Sequence, residues 1–306
     1  MFNDLSPAEL RFVGKEAGRP DMTEKLTGEA GFVSDMILPG MLHAQVKKSP
    51  HARARIKRID TAKAAALPGV RAIVTGDELN YHIGLYIVDK YILAKGEVRH
   101  YGEAVAAVAA ETLEQARAAV EAIEVEYEPL TPVLHHMDAL KPDAPLVHPE
   151  LGTYSYMAAA FTPKPGTNVA NHTKLRKGDV DKGFEESAYV VEREYSCPSV
   201  QHVPMETHVA VVQWGKGDKI SIWTSAQSPF TVRNLFCHAF GLSHAQVRVQ
   251  IPYVGGGFGG KAGIGVEPLC AVLSRKAGGK PVKFQASREE EFCLLPCRSA
   301  LTYRIK

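Results

Sequence analysis

Residues 251–263 read IPYVGGGFGGKAG, and five of the six residues at positions 255–260 are glycine. Glycine accepts a positive backbone φ and lets another group come close to its N–H groups, because it has no Cβ. A glycine run also loses much conformational entropy on folding, so close packing alone is the weaker explanation for it. We therefore expect a turn, between a strand and a helix, that holds a ligand against its backbone.

Two phosphate-loop patterns fit this run only in part. Gly255, Gly257 and Gly260 satisfy G-x-G-x-x-G, but Ser287 and Arg288 stand where a dinucleotide-binding unit would carry an acidic residue. The spacing G-x-x-x-x-G-K is also present, but the next residue is Ala262, which cannot coordinate magnesium as Ser or Thr would. Both mismatches argue against a nucleotide as the ligand, and a close-packed turn without any ligand is the remaining alternative.

Composition sets the class of protein. The chain has 306 residues, 45% hydrophobic and 23% charged, with a net charge of +2, so it has no electrostatic basis for binding nucleic acid or a membrane surface. Its apolar runs are shorter than the roughly 20 residues that span a bilayer, and the first residues do not form a secretory signal. The expected location is the cytoplasm.

The five cysteines do not form a metal-binding or disulfide pattern. Only Cys293 and Cys297 are close in sequence, and no second pair accompanies them. We expect ordinary reduced thiols.

The periodicity predicts alternating strands and helices. Residues 41–49 read as a short strand, and residues 54–79 read as strand, helix, Pro-Gly turn and strand. GEAVAAVAAETLEQARAAVEAIEVEYEPL (102–130) reads as strand, helix and strand, with Thr112 as the helix N-cap. A proline-rich stretch over 132–168 lacks periodicity. Beyond it, AYVVEREYS, HVAVVQW, KISIWTS and AQVRVQIPYV read as strands, and Gly241 is expected to end the helix SPFTVRNLFCHAFGL.

Three motifs together resemble one protein family. VGGGFGGK, TSAQSPF upstream of it, and QHVPMETHVAVVQW are similar to segments in the molybdenum-binding subunit of the xanthine dehydrogenase/aldehyde oxidase family. Residues 13–79 and 99–130 also resemble that family's a/b hammerhead domain. The resemblance implies an α+β fold. It comprises a hammerhead domain with an N-terminal lead-in (1–145), a linker (146–170) and a first molybdopterin-binding domain (171–306) that is incomplete at its C-terminus.

The resemblance also implies a cofactor and the residues around it. Molybdenum would be held by the dithiolene of a molybdopterin, in its plain or cytosine dinucleotide form, and not by side chains. The implied cofactor-binding residues are Gln227, Gly255, Gly256, Gly257, Phe258, Gly259 and Gly260. Gln227 falls where the family has a glutamine beside an oxo group, and Phe258 lies near the metal, so both are implied neighbours of molybdenum and not ligands. The alternatives are a helix cap for Gln227 and a core aromatic for Phe258.

Residues next to these motifs receive weaker assignments. We expect Glu206 to be structural, and His202 and His208 to be satisfied histidines in strands. Lys261 either offers charge to the cofactor or is solvated. Purine-oxidising members of the family carry a glutamate where this chain has Ala262. An aldehyde, an aromatic acid or an N-heterocycle is therefore a better expected substrate than xanthine.

The length implies partners. Subunits of this type usually run more than twice as far and carry a late glutamate as general base, so no catalytic residue is assigned here; Glu267 and Glu289 lie outside the motif. A split gene or a truncation would explain the length. We expect another chain to supply the second half of the site, with FAD and [2Fe-2S] clusters on partner subunits. The alternative function is a non-catalytic remnant, or an assembly module without cofactor.

Overall fold

The computed structural model describes residues 12–16 and 18–306, so the first eleven residues and Ala17 of the predicted hammerhead domain lie outside the described residues. Fourteen strands are present in this part of the chain. They are β1 (Leu42–Lys48), β2 (Ala54–Asp60), β3 (Val70–Thr75), β4 (His82–Ile83), β5 (Lys90–Tyr91), β6 (Glu97–Val98), β7 (Ala104–Ala110), β8 (Glu124–Pro129), β9 (Arg193–Cys197), β10 (Val209–Trp214), β11 (Ile220–Thr224), β12 (Val247–Gln250), β13 (Val282–Gln285) and β14 (Leu301–Ile305).

Seven α-helices accompany the strands within residues 12–16 and 18–306. They are α1 (Met22–Thr27), α2 (Ala62–Ala65), α3 (Leu113–Glu121), α4 (Val180–Glu185), α5 (Pro229–Phe240), α6 (Glu267–Lys276) and α7 (Arg288–Cys293). Gly241 ends α5 with a φ of 65°, as the sequence predicted.

One seven-stranded sheet dominates the fold, with the strand order β12-β11-β10-β13-β1-β7-β3. Its strands come from both predicted domains, and β13 lies between β10 and β1. β13 runs parallel to β1 and antiparallel to β10. The predicted strands over 41–49, 208–214 and 219–225 are confirmed as β1, β10 and β11, and β10 and β11 form an antiparallel hairpin.

The alanine-rich strand β7 is buried on both faces. Ala107 and Ala109 face a core that includes α5 and α6, whereas Ala106 and Val108 face a second core with α2 and α3. Small side chains let helices approach the sheet closely from both sides. α3 begins as predicted at Thr112, whose side chain accepts a hydrogen bond from the Gln115 N–H at 3.2 Å.

Smaller sheets lie beside the main one. β6, β2 and β8 form a three-stranded sheet, and β9 pairs with β14. The strand predicted over 188–196 forms only from Arg193 onward, and the apolar residues Tyr189, Val190 and Val191 before it are exposed. No helix in the described part of the chain is long and apolar enough to cross a bilayer.

The proline-rich stretch contains little regular structure but is held by hydrogen bonds. The Asn168 amide donates to the carbonyls of Ala139 and Pro145 and accepts from the Val147 N–H. One asparagine thus ties together segments that are 21 or more residues apart in sequence.

Candidate functional site

The glycine run forms a tight turn after β12 and before α6. Gly256 and Gly259 have φ values of 101° and 94°, and Phe258 between them has a φ of 52°. A positive φ is uncommon for a residue with a side chain, and such strain concentrates at binding sites. A second case, Val203 with a φ of 48°, lies in a segment that contacts this turn through Pro204.

Phe258 is not a core aromatic. Its side chain is 73% exposed, and its ring folds back over Gly256, where an added Cβ would lie 3.0 Å from the ring. The turn therefore presents an aromatic ring and glycine backbone on the surface.

Gln227 contacts this turn through its side chain. Its Oε1 accepts hydrogen bonds from the N–H groups of Gly259 at 2.8 Å and Lys261 at 3.2 Å. Two N–H donors fix the amide orientation, because only the oxygen can accept, and the Nε2 group is left as a donor. Gln227 is exposed, so this donor is accessible. The alternative of a helix cap is wrong, because Ser228 caps α5.

The close contacts explain two of the glycines. A Cβ added at Gly257 would lie 2.6 Å from Gln227 Oε1, and one added at Gly255 would lie 2.5 Å from the Glu206 Cβ. Both distances are too short for any side chain to fit without movement of the neighbour.

Glu206 and Lys261 form a buried ion pair beneath the turn. The Lys261 Nζ lies 2.9 Å from Glu206 Oε2, and the two side chains are 0% and 8% exposed. The same oxygen accepts from the Gly255 N–H at 2.9 Å. Lys261 is therefore not solvated, and its charge is matched by Glu206. Glu206 Oε1 is buried and has no hydrogen-bond partner among the described residues.

His208 supports the turn from a second point. Its Nε2 donates to the Gly260 carbonyl at 3.1 Å, and its Nδ1 lies 2.9 Å from Glu291 Oε1, which also accepts from the His208 N–H. Both ring nitrogens face acceptors, which fixes the orientation of the ring. Burial raises the pKa of the Glu291 carboxyl, but the hydrogen bonds and charge of His208 lower it more, and the pKa lies below its ordinary value.

The other acidic residues near the motif have partners elsewhere. Glu267 accepts from the Thr224 hydroxyl at 2.5 Å and from the Gly265 N–H at 2.7 Å, whereas Glu289 pairs with Lys48. Cavities of about 590 Å³ and 540 Å³ include none of the residues of the glycine run in their linings. The described residues contain no group of three or more His, Cys, Asp or Glu side chains placed to hold a metal ion.

Two family models match successive parts of the chain. The a/b hammerhead domain of aldehyde oxidase and xanthine dehydrogenase matches residues 27–131, and the molybdopterin cofactor-binding domain matches residues 161–306. The chain therefore belongs to the xanthine dehydrogenase/aldehyde oxidase family of molybdenum-binding subunits. The predicted family and α+β fold class are confirmed.

Relatives in this family differ in how much of their length the chain covers. It is 32% identical to the probable hypoxanthine oxidase XdhD of Escherichia coli over 99% of this chain, but spans 35% of that protein. It is also 32% identical to the nicotinate dehydrogenase large molybdopterin subunit of Eubacterium barkeri, with 97% of this chain and 67% of that subunit covered. Thus it spans about a third of the first relative's length and two thirds of the second's.

Solved structures have the same fold. The reconstituted CO dehydrogenase from Oligotropha carboxidovorans matches with a TM-score of 0.81 and 32% identity over 93% of this chain and 36% of that chain. Quinoline 2-oxidoreductase from Pseudomonas putida 86 matches with a TM-score of 0.76 and 33% identity over 91% of this chain and 35% of that chain.

Proposed function

We propose that this chain forms one wall of the molybdopterin site in a molybdenum hydroxylase. The assembled enzyme would hydroxylate an aldehyde or an N-heterocyclic aromatic substrate with oxygen derived from water. The observation that carries the proposal is the Gln227 amide, whose oxygen is fixed by the Gly259 and Lys261 N–H groups while its nitrogen remains free to donate.

The donor set fits the cofactor. Molybdopterin is a large anion, and it suits a surface of backbone N–H groups, an amide donor and an aromatic ring. Gln227, the glycines at 255–257, 259 and 260, and Phe258 would hold it, while Lys261 is neutralised beneath them by Glu206. The bound cofactor would supply the two-electron oxidation of the substrate. The chain's own part is to orient the cofactor and to offer a neutral donor that adds no charge.

Substrate and partners are part of this proposal. Ala262 offers no polar side chain, which disfavours xanthine relative to an aldehyde or a pyridine-like ring. The relatives named nicotinate dehydrogenase and quinoline 2-oxidoreductase support an N-heterocycle. We propose that a further segment or chain brings the general base and closes the other side of the site. FAD and [2Fe-2S] subunits would then carry electrons away in the cytoplasm. The cofactor would be molybdopterin in its plain or cytosine dinucleotide form.

The test is Gln227→Ala in the complex of this chain with its partners. Loss of one oriented donor should lower turnover by roughly 10²-fold or more while the molybdenum content is kept. Gln213→Ala is the matched control, because its side chain donates to the Gly279 carbonyl, away from the site. An unchanged turnover rate in a Gln227→Ala complex with full molybdenum content would exclude Gln227 from the proposed cofactor site. A well-folded parent complex without molybdenum and pterin would favour the non-catalytic alternative.

A further inference from the structure

We infer that Glu206 is a positioning residue, which fixes the binding conformation of the glycine turn through its hydrogen bond to Gly255 at the start of the turn. The inference rests on the proposed function, because the turn is taken to hold molybdopterin. It adds a role to a residue that lies outside the glycine run and comes 49 positions before Gly255.

The contacts form a closed bridge at the start of the turn. The Glu206 N–H donates to the Gly255 carbonyl at 3.1 Å, and the Gly255 N–H donates to Glu206 Oε2 at 2.9 Å. The end of the turn meets the same oxygen through the Lys261 Nζ at 2.9 Å. One carboxylate oxygen therefore contacts both ends of the turn, and the strained Phe258 lies between them.

Burial makes this bridge sensitive to change. The Lys261 side chain is fully buried, and removal of one partner from a buried ion pair leaves an uncompensated charge. Loss of the carboxylate would leave the Lys261 ammonium and the Gly255 N–H without their acceptor. Lys261 would then be driven toward solvent and would pull the turn with it.

The segment that carries Glu206 is itself held from α7. Arg288 donates through Nη2 to the carbonyls of Pro204 at 2.6 Å and Met205 at 3.1 Å. Because Arg288 bonds to backbone, a side-chain change at 206 leaves this anchor in place. The effects of Glu206 on the turn can therefore be separated from unfolding of its segment.

Two double variants separate positioning from charge balance. Glu206→Gln with Lys261→Met removes the ion pair but keeps an oxygen that can accept from Gly255. Glu206→Met with Lys261→Met removes both, and neither variant leaves a buried charge. In the assembled complex, we expect the first to release pterin within about threefold of the parent rate. The second should release it at least about tenfold faster, the loss expected for one hydrogen bond.

Release is measured by the fluorescence of the oxidised pterin after dilution, alongside thermal unfolding. Glu267→Gln is the matched control, because it alters another buried carboxylate, whose partners are Thr224 and Gly265. This variant should lower the stability of the protein without speeding the release of pterin. Equal release rates from the two double variants would overturn the inference, because Glu206 would then serve only to balance Lys261.

A second measurement does not need the cofactor. Amide hydrogen exchange at Gly255 and across 256–260 should speed up at least about tenfold in the Glu206→Met variant with Lys261→Met, but not in the Glu206→Gln variant with Lys261→Met. If the parent complex contains no pterin, the proposed function fails, and the exchange rates alone decide whether Glu206 positions the turn. Unchanged exchange in both variants would also overturn the inference.

Discussion

Two stretches of small residues in this protein do opposite things. Strand β7, AVAAVAA, is at most 4% exposed along its whole length, and its backbone pairs with β1 and β3. The glycine turn is partly exposed, and side chains from other elements hold its backbone: Gln227, Glu206 and His208. In β7, small size lets helices pack against the sheet. In the turn, it exposes polar backbone and lets side chains brace it.

The comparison shows that a small-residue stretch must be interpreted through its hydrogen bonds. Alanine keeps the β-region backbone that a ladder needs, so β7 is satisfied by its neighbouring strands. A turn with positive φ at Gly256 and Gly259 cannot join a ladder, and its N–H groups need other acceptors. Where side chains supply acceptors for only some of these N–H groups, the remaining N–H groups are available to bind a ligand.

The largest expected effect comes from Gly259→Val. At φ 94° a β-branched residue is strained, and its side chain would project where we propose the pterin lies. We expect the assembled complex to lose molybdenum, measured by metal analysis. Gly241→Val is the control, because Gly241 also has a positive φ, 65°, but lies after α5 with open space around it. This variant should be about 1–2 kcal/mol less stable and should keep its full molybdenum content. Full occupancy in Gly259→Val would mean that the glycine run is only a packing turn.

Ala107→Leu tests the other half of the comparison. Ala107 is 0% exposed and lies between β1 and β3, opposite Val46 and Val74. Extra methylenes in a filled core should destabilise the protein by about 1–3 kcal/mol in urea unfolding, whereas the exposed Ala65→Leu should change little. Folded Ala107→Leu protein should still bind pterin. Loss of pterin binding by fully folded Ala107→Leu protein would show that β7 and the glycine turn are coupled.

Local signals predicted much of the fold and the centre of the site. The structure confirms two short-range predictions: α3 begins after Thr112, and α5 ends at Gly241. Gln227 and the glycines came from a motif, and the structure places them in contact, although their role with the cofactor stays a prediction.

Long-range pairing was not predictable from local pattern. Nothing in the local sequence pattern indicates that β13 lies between β10 and β1. The pairing of His208 with Glu291 spans 83 residues, and no periodicity marks it. The burial of Lys261 was missed because a lysine beside glycines is typical of exposed turns, and only the partner Glu206 explains it.

A smaller effect is expected from Thr112→Ala. The substitution removes the N-cap acceptor for the Gln115 N–H and should cost about 1 kcal/mol in chemical unfolding. Thr112→Ser keeps the hydroxyl and serves as the control. Since α3 packs on β7 away from the turn, pterin release should not change, and a faster release would contradict the separation of the two regions.

The smallest effect concerns acid pH. The folded-state pKa of Glu291 is depressed, so its stabilising contribution is present above the unfolded value of about pH 4.3 and is lost as pH falls through the folded pKa. Glu291→Gln should therefore be less stable than the parent at neutral pH, and the difference should shrink below about pH 4.3. Urea unfolding midpoints at a series of pH values check this. A stability difference that stays constant with pH would show that the His208–Glu291 charge pair does not cause it.

The position of β13 has a consequence for how the protein is made on the ribosome. Strands β3, β7 and β1 can pair early during translation, and β10, β11 and β12 can pair later, but no direct pairing joins these groups without β13. Until residue 285 has left the exit tunnel, the edges of β1 and β10 stay open to wrong partners, including neighbouring nascent chains. The glycine turn lies in the segment made just before β13, and its support Glu291 follows β13. We therefore expect cofactor loading to follow the emergence of residue 291 from the exit tunnel.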